Sequence, residues 1–78
     1  MASRAKRFDA ALSKVSEAKG EIEELRDELQ QWLDNLPENL QSGSKADQLN
    51  DAISNLEDVI SNLEEAESTS VEFPGMYG

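Results

Sequence analysis

The side chains of this chain that could do chemistry are carboxylates. Seventeen Asp and Glu stand among 78 residues, with clusters at Glu24, Asp27 and Glu28 and again at Glu57, Asp58, Glu64 and Glu65. Paired carboxylates can hold a hard cation or work as acid and base, but only where burial or a close like charge shifts a pKa. Their spacing puts both clusters on helix faces opposite the apolar residues, where water solvates them. The sequence holds no EF-hand loop with its central glycine and terminal glutamate. It also holds no His and no Cys, which removes the commonest general base, the commonest metal ligand, the thiolate nucleophile and the disulfide. The residues predict a protein that binds and is not an enzyme, with no metal and no cofactor.

The distribution of charge says more than its total of −10. Residues 1–20 carry Arg4, Lys6, Arg7, Lys14 and Lys19 against Asp9 and Glu17, whereas no basic residue follows Lys45. Such a field repels nucleic acid and anionic membrane and steers basic surfaces inward. The expected partner is a protein with a basic surface, with no direct nucleic-acid or membrane binding. Glu57, Asp58, Glu64 and Glu65 are the acidic contact residues, in a row that either mimics the phosphates of DNA or serves solubility. The basic start "SRAKRFDAALSK" reads as a membrane-surface helix, a nucleic-acid arm or a plain helix start. The last reading is preferred, because the acidic body opposes approach to phosphate.

Two helices must carry these residues. Phe8, Val15, Ile22, Leu29 and Leu36 recur by seven, each of the first four followed three residues later by Ala11, Ala18, Leu25 and Trp32. This is an a/d pattern, widened by Leu12 and Leu33, and it predicts one helix over about 3–35. Gly20 costs about 1 kcal/mol relative to alanine but lies on the solvent side, so the helix continues through it. Pro37 stops it, because the residue before a proline is pushed out of the α region. A connection over 36–43 follows, with Leu40 tucked onto its end. Ser44 to Asp47 approximates a capping box, and Ala46, Leu49, Ile53, Leu56, Ile60 and Leu63 give a second a/d series, with Ala52, Val59 and Ala66 beside it. The second helix is expected over about 44–67. The fold class is therefore all-α, an antiparallel two-helix hairpin with an extended tail over 68–78.

Antiparallel pairing with Leu36 level with Ala46 brings Leu63 to Lys19 and leaves the start of the first helix overhanging by two to three turns. The tail "VEFPGMYG" emerges beside that overhang and cannot be helical across Pro74. Val71 and Phe73 are expected to cover Phe8 and Leu12, while Met76 and Tyr77 reach the partner or a second subunit. Trp32, near the hairpin's tip, is either an interface hot spot or the plug that closes that end. A single 78-residue domain with no staple has a marginal core, and association is the usual remedy. A homodimer forming a four-helix bundle is expected, or else a hairpin that is only marginally stable until bound.

The stretches "WLDNLPENLQSGSKADQL" and "VEFPGMYG" resemble small acidic proteins encoded by phages and prophages. The resemblance covers the second half of the chain and carries over no functional residue. It implies an accessory or inhibitor protein acting on host machinery, hence in the cytoplasm. No apolar run approaches the roughly 20 residues that span a bilayer, and no secretory h-region follows the basic start. The alternative role is a structural one, a self-associating coiled-coil subunit of a larger assembly.

Overall fold

Helix α1 spans Arg4–Asp34 and helix α2 spans Ser44–Ser68 in a computed structural model that describes residues 3–75. The two pack antiparallel as a hairpin whose Cα atoms extend 67 × 17 × 13 Å. Helix α1 opens on Ser3, whose side-chain oxygen accepts the Lys6 N–H at 3.2 Å and satisfies one of the first turn's free donors. It runs unbroken through Gly20, as the continuous apolar phase requires. Asn35 closes it by donating to the carbonyls of Gln31 and Trp32 at 3.0 and 3.2 Å.

A single 3-10 turn, Glu38–Leu40, follows Pro37. The Leu40 N–H donates to the Pro37 carbonyl at 2.8 Å, and the Gln41 side-chain amide donates to the Leu36 carbonyl at 3.0 Å. Two expectations fail here. Leu40 is 42% exposed and does not tuck onto the end, because the tight turn carries it outward. The capping box at Ser44 is also absent. Gly43 donates to the Leu40 carbonyl at 3.2 Å and is itself the N-cap, so the chain enters α2 one residue sooner and no side chain caps it. Asp47 still favours the start of α2 by placing a negative charge against the helix dipole.

Leu36, Ala46 and Leu49 form the buried cluster that closes the tip, with Leu29 and Leu33 packed against it. Ile53 and Ile60 extend the core along α2, but no residue of α1 is buried. The α2 series faces inward as its spacing predicts. On α1 only the Phe8, Val15, Ile22 and Leu29 column does so, and Leu36 continues it past the helix end. The second inward column is Leu12, Lys19, Arg26 and Leu33, all half-buried, while Leu25 and Trp32 stand 51% and 50% exposed. Lys19 and Arg26 fit an inward column because long alkyl stems cover apolar surface while their heads reach the rim.

Lys19 reaches Glu67, at 2.8 Å, one turn beyond the expected Leu63. Helix α2 thus ends well short of the start of α1, and an extended segment continues along the overhang. Phe73 meets Phe8 edge-to-face with ring centroids 5.6 Å apart, as expected of the tail. Val71 is 46% exposed, so Phe73 is the tail's anchor and Val71 covers little.

Candidate functional site

The hairpin's two long edges differ in chemistry, and the heptad explains why. On α2, Ala46, Ile53, Ile60 and Glu67 occupy a positions, with Leu49, Leu56 and Leu63 at d. On α1 the inward columns are Leu12, Lys19, Arg26 and Leu33 at a, with the Phe8 column at d. In an antiparallel pair the g columns of both helices line one edge and the e columns the other. The e edge is made of Asp9, Ser16, Glu23 and Gln30 from α1 and Asn50, Glu57 and Glu64 from α2. Asp51, Asp58 and Glu65 lie further round α2, beyond the column of Asp47, Ser54, Ser61 and Ser68. Glu57, Asp58, Glu64 and Glu65 are therefore brought together, and all four are exposed. Glu64 and Glu65 also line a shallow recess with Ser61 and Ser68.

The g edge is apolar. It carries Ala11, Ala18, Leu25 and Trp32 from α1 and Ala52, Val59 and Ala66 from α2, with Val59 41% exposed. Lys45, the first g residue of α2, places its Nζ 5.4 Å from the centroid of the Trp32 ring, a cation–π contact that confirms the two g columns share an edge. Trp32 is thus no plug, since Leu36, Ala46 and Leu49 close the tip. Leu25, Ala52 and Val59 were not among the sequence-predicted contact residues. Their recurrence by seven beside the inward columns was the signal available for them.

Between the edges, Lys19 and Glu67 form the one ion pair joining the helices among the described residues. The Glu67 Oε1 is shielded from solvent and faces the ammonium alone. The hydrogen bond to Glu67 raises the Lys19 pKa above its ordinary 10.5; desolvation opposes this, and the charges of Glu67, Glu64 and Glu23 add to the rise. At the far end, Phe73, Pro74 and Gly75 form an open groove with Ser3, Arg4 and Ala5. The expected contacts at Met76 and Tyr77 lie outside the described residues. The sequence-predicted site residues do not converge: the acids line one edge, Trp32 the other, and Phe73 the far end.

Among the described residues, no group of three or more His, Cys, Asp or Glu is placed to hold a metal ion, and no helix is long and apolar enough to cross a membrane. The class defined by this architecture is the all-α antiparallel helical hairpin. Comparison with protein-family models, with curated proteins and with solved structures gives no match.

Proposed function

We propose that the chain is a non-enzymatic binding module whose acidic edge engages a basic surface on another protein. The observation that carries this is the sorting of charge: Glu57, Asp58, Glu64 and Glu65 gather on one side of α2, exposed, no basic residue follows Lys45, and of the four only Glu64 lies near enough to the Lys19 ammonium of α1 to act on its pKa. An ordered row of like charge on a rigid helix raises the encounter rate with a basic partner and repels acidic ones. Magnitude argues against a close mimic of DNA. Seven carboxylates over the 25 residues of α2, at about 1.5 Å each, give roughly one charge per 5 Å, against one per about 1.7 Å of duplex. An accessory or inhibitor role on host machinery, which the resemblance to small phage proteins implies, is compatible with such a module and places it in the cytoplasm.

The test replaces Glu57, Asp58, Glu64 and Glu65 by their amides. Proteins retained by the native chain at low salt should be lost with the variant, and the remaining binding should depend less on salt, while helix content stays unchanged. Retention that is identical after all four replacements overturns the proposal.

A further inference from the structure

We infer that the apolar g edge is the seat of a second copy of this chain, giving a four-helix dimer with both hairpin tips at the same end. Three positions in seven carry the apolar surface of the paired stretch: d and g on both helices apart from Lys45, and a on α2 as far as Ile60, with Lys19 and Arg26 standing between Leu12 and Leu33 at a on α1. That is the width a bundle helix buries, whereas a two-helix seam needs only two. A lone hairpin covers a and d and leaves g open. Of the six large apolar side chains that stay exposed among the described residues, Leu25, Trp32 and Val59 lie on this edge.

The flanking row fits an interface too. The c column of α2, next to g, is Gln48, Asn55 and Asn62, and none of the seven acids of α2 occupies c or g. On the α2 half of this face charge is depleted, as in interface cores, whereas the c column of α1 carries Lys14, Glu21 and Glu28. Area is sufficient as well. The paired part of the hairpin, 25 residues of α2 by 17 Å across, presents roughly 600 Å². Two such faces bury roughly 1,200 Å², the lower bound for a stable interface.

Charge and shape select the orientation. The contacts Lys19–Glu67, Phe8–Phe73 and Leu36 with Ala46 and Leu49 fix the register. That register sets Trp32 level with Ala52, Leu25 with Val59, and Ala18 with Ala66. A two-fold axis parallel to the helices lays α1 of one copy over α2 of the other. Trp32 then meets the small Ala52, and Glu21 and Glu28 in the α1 c column meet the amides of Asn62 and Asn55. The opposed arrangement, centred on Leu25, sets Glu21 against Glu28 twice, like charge on like. The parallel axis avoids that repulsion.

The inference does not rest on the acidic edge, and its tests read a different surface. Sedimentation from nanomolar to high micromolar concentration should show a species of twice the 8.6 kDa chain mass, persisting at raised salt. Leu25→Lys and Val59→Lys should each return it to the single-chain mass with the helical signal retained, while Glu64→Lys should leave it dimeric. In the native chain, dilution should red-shift the emission of Trp32, the sole tryptophan, and open it to quenching. With no native cysteine, one spin label at Asn39→Cys reports the orientation: a separation well under half the 67 Å length is expected. A single-chain mass throughout, a dimer indifferent to both lysine substitutions, or labels a full length apart would each overturn the proposal.

Discussion

Gly20→Ala isolates the continuity of α1, on which the placement of both edges depends. Glycine in a helix interior costs about 0.8–1.0 kcal/mol relative to alanine, much of it through the freedom it gives the unfolded chain. That gain is realised only if the native backbone is helical there and the added methyl meets nothing. Both conditions hold. Gly20 lies midway along an unbroken helix, and an ideal Cβ on it has no neighbour within 4 Å. Nothing need be subtracted, so the expected stabilisation is about 1 kcal/mol. For a chain of this size that raises the melting temperature by about 4–8 °C.

The assay is thermal unfolding by circular dichroism at fixed protein concentration, since association makes the midpoint concentration-dependent. Gly20 occupies a b position, on the side away from the apolar edge, so the dimer mass should not change. A melting temperature that stays or falls would refute the reasoning. It would mean that α1 bends at Gly20, and the edges on either side of it would no longer form continuous rows.

The tail and the ion pair give two further expectations. Phe73 is 36% exposed and its ring meets Phe8 edge-to-face, so Phe73→Ala and Phe8→Ala should each destabilise, with a coupling of about 0.5–1.5 kcal/mol in a double-mutant cycle. Additive losses would remove the contact. Lys19 has a folded-state pKa above its ordinary 10.5, so its contribution is fully present below 10.5 and is lost as pH climbs through the higher folded value. Lys19→Met should therefore flatten the decline of stability at alkaline pH relative to the native chain, and matching alkaline profiles would show the pair to be without effect.

Much of the fold was legible because it rests on strong periodic signals. The Phe8 column and the α2 series are apolar at nearly every turn, and Pro37 marks the bend. What the pattern of α1 could not give is which neighbour of the Phe8 column turns inward. By apolar content, Leu25 and Trp32 outrank Lys19 and Arg26, and a count of hydrophobic residues chooses the wrong pair. The choice is made by α2 and the connection that aims it. One clue was readable: continuing the α2 series past Leu63 reaches Glu67, a carboxylate in an inward column that needs a cation opposite. The acidic row was legible residue by residue, but that an apolar edge lies across the hairpin from it emerges only once the columns are lettered correctly.

That correction changes what the surface means. With Leu25 and Trp32 assigned inward, the case for a dimer rests on the small core and no particular face is marked for it. With Lys19 and Arg26 inward, the hairpin holds two cations beside a small core, and the side chains best suited to burial line an open edge. Covering that edge with a second copy adds the apolar burial that a chain this size otherwise lacks. It also leaves both acidic edges facing outward, on opposite sides of the bundle. The assembly would then offer a basic partner two equivalent surfaces on one rigid body, and binding at one raises the effective concentration at the other wherever the partner repeats its charge at matching distance. Self-association and acidic recognition would then both follow from one heptad assignment.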